Sequence, residues 1–176
     1  MSYEVLESNE TYRGKILRVT IDKIEMPDGN SAYRETVLRD KNAAAVLPIM
    51  NDGKLLFVRQ YRHAFGETLL EIPAGVLNDC EVCELCVLRE LEEETGQKAG
   101  RLEFVCEFYP SVGFCSETIS LYFAYDLTQG QQKLDPDEFI ELESYTLDEA
   151  MEMIHSGQIK DGKTIAALFA YKSKHI

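Results

Sequence analysis

Apolar and polar positions alternate early in the chain. Ile16, Val19, Ile21 and Ile24 mark residues 15–26 as extended, Pro27-Asp28-Gly29-Asn30 supplies turn chemistry, and residues 32–38 continue extended. Two apolar runs, 43–50 and 54–60, flank Asn51-Asp52-Gly53, the pattern of a hairpin. A further strand over 69–72 should stop at Pro73-Ala74-Gly75. Residues 81–94 are rich in helix formers and end at Thr95-Gly96, a helix stop. Strands return over 102–108 and 119–125. Thr146-Leu147-Asp148-Glu149 matches a capping box and opens a short helix ending at Gly157, and a last helix with a basic end spans about 164–172. This order predicts an α/β (α+β) chain, a mixed α/β/α domain with the early strands forming a small separate antiparallel sheet.

Composition narrows the class. The 176 residues are 45% hydrophobic and 28% charged, enough for one domain with a real core. No apolar run approaches the ~18 residues of a membrane span, and Met1-Ser2-Tyr3-Glu4 lacks the basic-then-apolar start of a signal peptide. Five cysteines, an odd number, read as reduced thiols, so a cytoplasmic location is expected. The net charge of −13 argues against a nucleic-acid polymer or an anionic membrane as partner. A small phosphorylated ligand remains compatible, provided cations and local arginines offset the charge.

The helix over 81–94 is where chemistry concentrates. It carries Glu81, Glu84, Glu90, Glu92, Glu93 and Glu94, with Glu90, Glu93 and Glu94 at i, i+3 and i+4 on one face. A solvated acidic face is the plainer reading. Two points weigh against it. The cluster lies in the last turn, where the helix dipole disfavours carboxylates, and Val82, Leu85, Val87, Leu88 and Leu91 wrap much of the circumference, which suggests burial between two layers. Divalent cations would neutralise such a cluster, and all-oxygen ligation points to Mg²⁺, with Mn²⁺ the alternative.

Gly75, Glu81 and Arg89-Glu90-Leu91-Glu92-Glu93-Glu94-Thr95-Gly96 together resemble the Nudix box. One position departs, since Gln97 stands where the family usually has an aliphatic residue; that concerns packing, not ligation. The resemblance implies a Nudix α/β/α sandwich, metal ligation by Glu90, Glu94 and the backbone carbonyl of Ala74, assistance from Glu93, orientation of the glutamates by Arg89, and a weaker role for Glu81. Residues 55–62 and 70–75 resemble the run-in of the ADP-ribose pyrophosphatase-like branch. Arg59 and Arg62 then become substrate-binding candidates, Arg62 on a phosphate and Glu71 toward the sugar, against a plainer reading as edge-strand charges. Ser111-Val112-Gly113 is similar to the branch's Ser-Pro-Gly loop, with Val112 in the proline position, which leaves sugar preference open around Gly113. Leu134-Asp135-Pro136-Asp137-Glu138-Phe139-Ile140-Glu141 stands where the branch keeps an acidic loop, and Glu138 is the candidate general base, with Asp137 and Glu141 as its nearest competitors.

The implied activity is metal-dependent hydrolysis of the pyrophosphate bond of ADP-ribose or a related nucleoside diphosphate sugar. Other nucleotide sugars or dinucleoside polyphosphates stay open as substrates, as does a non-catalytic nucleotide-sugar-binding module. Cys80, Cys83 and Cys86 could alternatively form a zinc or iron–sulfur motif, but no fourth cysteine follows at cluster spacing. The β-rich stretch before Ala43 bears Tyr3, Tyr12 and Tyr33, which a lone ribbon could not bury. A homodimer is therefore expected, with residues 1–42 as the dimerisation segment and 43–176 as the hydrolase domain.

Overall fold

A computed structural model of the chain describes residues 3–136 and 138–175. They divide into two compact units, Met1–Asn42 with Tyr109–Thr118, and Ala43–Phe108 with Ile119–Ile176. In the first unit, strands β1 (Glu4–Arg13), β2 (Arg18–Glu25) and β3 (Ser31–Leu38) form an antiparallel sheet in that order. This is the small separate sheet anticipated from the early strands. The turn between β2 and β3 needs Gly29 at φ +82°, a left-handed conformation, and the Asp28 carboxylate accepts hydrogen bonds from the Asn30 backbone N–H (3.1 Å) and Nδ2 (2.9 Å). Thr20 and Ile24 are buried, whereas Tyr3, Val5, Leu6, Tyr12 and Tyr33 are exposed. Tyr109–Thr118 adds a short pairing to β3: Val37 N–H donates to the Phe114 carbonyl (2.7 Å) and Ser116 N–H to the Val37 carbonyl (3.0 Å).

The second unit begins with β4 (Ala43–Pro48), buried at every position. Its alternate residues serve two cores, Ala43, Ala45 and Leu47 facing one and Ala44 and Val46 the other. There follow β5 (Leu55–Arg62), β6 (Glu67–Glu71), β7 (Ala74–Val76), α1 (Cys83–Thr95), β8 (Gln97–Lys98), β9 (Arg101–Phe108), β10 (Ile119–Tyr125), β11 (Thr128–Gln129), β12 (Ile140–Tyr145), α2 (Leu147–His155) and α3 (Gly162–Lys174). The main sheet runs β7-β4-β10-β9 with β4 parallel to β10, a second sheet runs β12-β5-β6, and β11 pairs with β8. Cys86, Val87 and Leu91 of α1 cover Ala44, Val46, Tyr122 and Ala124. Ala150, Met151 and Met153 of α2 and Ala167 and Leu168 of α3 join Leu121 and Phe123 of β10 in the other core. Helix, sheet and helices make the α/β/α sandwich expected. Each fully buried aliphatic side chain contributes about 1.5–3 kcal/mol to holding these layers together.

Local departures from the sequence reading have physical causes. Asn51-Asp52-Gly53 does turn the chain, with Gly53 at φ +85°, but β4 and β5 share one bridge, Ile49 with Leu55, and then enter different sheets. A strand buried on both faces takes central neighbours, and β4 pairs with β7 and β10 instead. Pro73 ends one strand, yet Ala74–Val76 at once starts another. Helix α1 begins at Cys83, with Cys80 in the preceding turn at φ +62°. It is buried on one side only: Val82, Leu85 and Leu88 are exposed, so it is not enclosed between two layers. The acidic loop ends before Ile140, where β12 pairs antiparallel with β5 and sets Glu141 opposite Arg59.

Candidate active site

Helix α1 stops at Gly96, whose φ of +68° is the left-handed cap that its glycine permits. Its last two turns carry the carboxylates, and one guanidinium organises them. Arg89 grips Glu81 with two bonds, Nε to Oε1 and Nη2 to Oε2, both 2.9 Å. Its Nη1 donates to Glu90 Oε1 (2.6 Å) and Glu93 Oε2 (3.1 Å), and Nη2 reaches the Val76 carbonyl (3.3 Å). Such charge-assisted bonds fix direction as well as energy. The Arg89 guanidinium holds Glu81 down to about 2, aided by the Asn78 backbone N–H.

Glu90 and Glu94 behave oppositely to Glu81. Burial raises Glu90 above the usual carboxylate range, although Arg89 opposes the rise. Glu94 is pushed up to about 8, by burial first and then by the charges of Glu90 and Glu138. A hydrogen bond from the Ala74 backbone N–H and the Lys163 charge pull it back only in part. Its Oε2 is buried and has no hydrogen-bond partner among the described residues. Gly75, on β7, lets the strand pass this close: a methyl group there would overlap the Glu90 carboxylate. Glu138, half-buried, accepts a hydrogen bond from the Asp135 backbone N–H (3.2 Å) and returns one from its own N–H to the Asp135 carbonyl (3.0 Å). Its charge raises both Glu90 and Glu94, after burial and nearer charges. Asp137 lies outside the described residues, and Glu141 sits exposed on β12.

No three His, Cys, Asp or Glu side chains are gathered as a ready-made metal site among the described residues. The residues nonetheless fit a hard divalent cation. An orphaned buried carboxylate oxygen, a second half-buried carboxylate and a glycine that clears room for it are all oxygen donors or their spacing. The thiols do not fit a soft metal. Cys80 is exposed, Cys83 half-buried and Cys86 buried, and the Cys86 thiol is pushed up to about 12 by burial and then by Glu90.

The run-in residues form two separate pairs. Arg62 holds the buried Glu71 with Nε to Oε1 (2.7 Å) and Nη2 to Oε2 (2.8 Å), and Lys163 of α3 bonds that same Oε2 and also Asp161 at 3.0 Å. Burial pushes the Glu71 carboxyl up, but Arg62 and Lys163 outweigh it and its pKa is lowered. A cleft of about 370 Å³ opens here, lined by Tyr61, Arg62, His63, Phe65 and Lys163 among others. Arg59 points to the opposite face of β5 from Arg62 by strand alternation. It is held by Glu143 of β12, which also accepts from the Tyr145 hydroxyl. Gly113 belongs to the first unit, in the turn after Phe108, with open space where a side chain would stand.

Three contributors escaped the sequence reading. Lys163 sits among ordinary helix formers, and only its position just after the Asp161 cap hints at a buried role. Glu143 alternates with Ile140, Leu142 and Ser144 in a weak strand pattern that the neighbouring acids obscure. The third is the segment 129–133, which carries no apolar periodicity. It is pinned by polar bonds to the end of α1: Gly130 N–H to the Gly96 carbonyl (2.7 Å), Lys133 N–H to the Glu93 carbonyl (2.9 Å) and Gln132 Nε2 to the Glu94 carbonyl (2.7 Å). Beside it a cleft of about 590 Å³ is lined by Arg89, Glu92, Glu93, Gln131 and Lys133.

Comparison with known proteins bears directly on this cluster. The model of the NUDIX domain family matches residues 39–168. The chain is 37% identical to a methanol dehydrogenase activator of Bacillus methanolicus and 35% identical to an ADP-ribose pyrophosphatase of Bacillus subtilis (strain 168), in each case over 94% of this chain and 90% of that protein. A GDP-mannose pyrophosphatase of Salmonella paratyphi B is 32% identical over 78% of this chain and 77% of that protein. A solved structure of an ADP compounds hydrolase shares the fold with a TM-score of 0.90 at 21% identity, covering 98% of this chain and 94% of that one.

Proposed function

Because this chain belongs to the NUDIX domain family, we propose that it hydrolyses the pyrophosphate bond of ADP-ribose, or of a closely related nucleoside diphosphate sugar. With ADP-ribose the products are AMP and ribose 5-phosphate. The observation that carries the reading is the Glu94 oxygen left buried and unsatisfied inside a carboxylate cluster that Arg89 organises. The ADP-ribose pyrophosphatase relative, matched over nearly the whole chain, supports the substrate class.

Glu90, Glu94 and the Ala74 carbonyl would hold Mg²⁺, or Mn²⁺ in its place. When bound, the cation neutralises phosphate charge and lowers the pKa of the attacking water. Glu138 accepts that water's proton at its carboxylate. Attack forms one P–O bond and breaks the bridging one, and the departing phosphate leaves with its bonding pair. Arg89 keeps Glu90 and Glu93 aimed throughout, and Glu93 assists from the rim of the cluster. Arg62, oriented by Glu71 and still partly exposed, offers its remaining guanidinium N–H groups to a substrate phosphate. Arg59 serves this site indirectly, by tying β5 to β12.

Residues 1–42 are read as a dimerisation segment and 43–176 as the hydrolase domain of a cytoplasmic homodimer. The support is the row of exposed Tyr3, Val5, Leu6, Tyr12 and Tyr33 on the first unit. Light scattering at micromolar concentration should give twice the 20.0 kDa of one chain; a monomer with full activity rejects this. The activity is tested by a panel of ADP-ribose, GDP-mannose, other nucleotide sugars and dinucleoside polyphosphates, with products identified. ADP-ribose should lead. A preference for GDP-mannose, the substrate named for the Salmonella relative, would move the sugar assignment and keep the chemistry. No turnover of any of them, with binding retained, would make the chain a nucleotide-sugar-binding module.

A further inference from the structure

Strand β7 lies against the carboxylate cluster: a Cβ on Gly75 would stand 1.8 Å from Glu90 Oε1. It ends its sheet, beside β4, so its other edge is open to side chains. The pairing sets Ala45 opposite Ala74 and Ala44 opposite Gly75, and Val46 N–H donates to the Pro73 carbonyl (2.9 Å). In an antiparallel ladder, bonded pairs alternate with unbonded ones. Bonding at Pro73 therefore turns the N–H and C=O groups of Ile72, Ala74 and Val76 away from β4. Arg89 Nη2 reaches the Val76 carbonyl on this open edge (3.3 Å). At the other end Ile72 N–H donates to Thr164 Oγ1 of α3 (2.9 Å), on a side chain with 0% exposure. Ala74 lies between these two holds, with its N–H bonded to Glu94.

Thr164 is tied down in turn. Asp161, the N-cap of α3, accepts at Oδ2 both the Thr164 N–H (3.0 Å) and the Thr164 hydroxyl (2.6 Å). The hydroxyl proton is thus directed to Asp161, which leaves a lone pair for the Ile72 N–H. That bond compensates for a missing one. A bonded antiparallel pair ordinarily exchanges two hydrogen bonds, but Pro73 has no N–H to return to Val46. The corner before Ala74 is therefore underfastened on the β4 side, and Thr164 holds it from the opposite side. We propose that Thr164 is a positioning residue, setting the Ile72-Pro73-Ala74 corner so that the Ala74 carbonyl meets the cation beside Glu90 and Glu94. The proposal rests on the reading of that carbonyl as a cation ligand. Thr164 touches neither cation nor substrate; it acts through the peptide group that carries the Ile72 N–H.

The test is Mn²⁺ binding by the full chain without substrate, followed by electron paramagnetic resonance, with folding checked by circular dichroism. Thr164→Val keeps the shape of the side chain and removes the hydroxyl. Its Mn²⁺ affinity should fall about 10- to 100-fold, the scale of a lost partner behind a metal ligand. The half-saturating Mg²⁺ concentration in ADP-ribose hydrolysis should rise in step, with KM at saturating Mg²⁺ within about twofold. Thr164→Ser keeps the acceptor and should bind Mn²⁺ within about twofold of wild type. Leu168→Ala loosens the packing of α3 in the core without touching the corner, and should also bind within about twofold of wild type. Amide exchange at Ile72, slow in wild type, should quicken in Thr164→Val and not in Thr164→Ser. Thr164→Ala removes the same acceptor and replaces Thr164→Val if that variant unfolds; if both unfold, the bond serves the fold as a whole and the proposal is overturned. Wild-type Mn²⁺ affinity in folded Thr164→Val, an equal loss in Thr164→Ser or Leu168→Ala, or fast Ile72 exchange in wild type also overturns it. A wild type that binds Mn²⁺ while Thr164→Val is silent rejects the positioning alone, whereas a wild type that binds no Mn²⁺ rejects the cation reading with it.

Discussion

Glu71 and Glu94 are both buried, at 2% and 3% exposure, yet their surroundings treat them in opposite ways. Glu71 meets Arg62 at both of its oxygens and Lys163 at one of them. Its charge is thereby held below the ordinary range despite burial. Among the described residues Glu94 has no ion pair, one of its oxygens lacks a hydrogen-bond partner, and the charges of Glu90 and Glu138 oppose its ionisation. The first is a finished structural pair. The second is a cost that the fold bears for a positive charge it does not itself supply. Burial alone therefore does not mark a functional carboxylate; an unsatisfied acceptor among like charges does.

The same substitution at both positions breaks the comparison most sharply. Glu71→Met leaves Arg62 and Lys163 facing each other in a buried place and should cost about 3–5 kcal/mol of stability. Glu94→Met, in metal-free protein, should cost nothing or stabilise, because it removes an uncompensated buried carboxylate; urea denaturation in EDTA checks both. For activity the order reverses. Glu94→Gln should lower kcat at least about 100-fold, the scale of a lost charge-stabilising group, with near wild-type folding by circular dichroism. Gly75→Ala drives a methyl into the Glu90 carboxylate, and steady-state assays should show about a tenfold loss of kcat with a fold that melts close to wild type.

The pH dependence separates the two by sign. In metal-free protein the folded state keeps a proton on Glu94 up to about 8, whereas the unfolded chain releases it near the ordinary 4.5. The folded state binds more protons between those values, so stability should fall as pH rises from about 4.5 to about 8 and then level off. Glu71, with its pKa lowered, contributes stability above the ordinary carboxylate pKa that is lost as pH falls through its folded value. Unfolding free energies across pH 3–9, a range of about six units, should therefore show an alkaline decline that Glu94→Gln abolishes and an acid decline that it leaves intact.

Much of this contrast was legible in the residues alone, and the illegible part has a common cause. The spacing of Glu90, Glu93 and Glu94, the stop at Gly96 and the box around Arg89 gave the cluster and its helix, because periodicity and a left-handed glycine are local signals. Glu71 was read as a sugar contact, while the structure spends both of its oxygens on Arg62 and Lys163. Lys163 lies far along the chain in α3, and no local pattern reports a pairing made by the packing of α3. The tether at 129–133 was illegible for a related reason: it is made of backbone N–H groups and the amides of Gln129 and Gln132, and apolar periodicity cannot register it. The Asn51-Asp52-Gly53 turn was read correctly as a turn and wrongly as a hairpin, since the partners of β4 are chosen by burial on both faces.

The central claim is that Glu94 is the unsatisfied carboxylate that receives the cation. Mn²⁺ binding, followed by electron paramagnetic resonance in the absence of substrate, measures this directly and does not depend on turnover. Wild-type protein should deplete the free Mn²⁺ signal, Glu94→Gln should lose at least about tenfold in affinity, about 1.4 kcal/mol, and the loss should persist when folding is shown intact by circular dichroism. A folded Glu94→Gln that binds Mn²⁺ as tightly as the wild type would contradict the account.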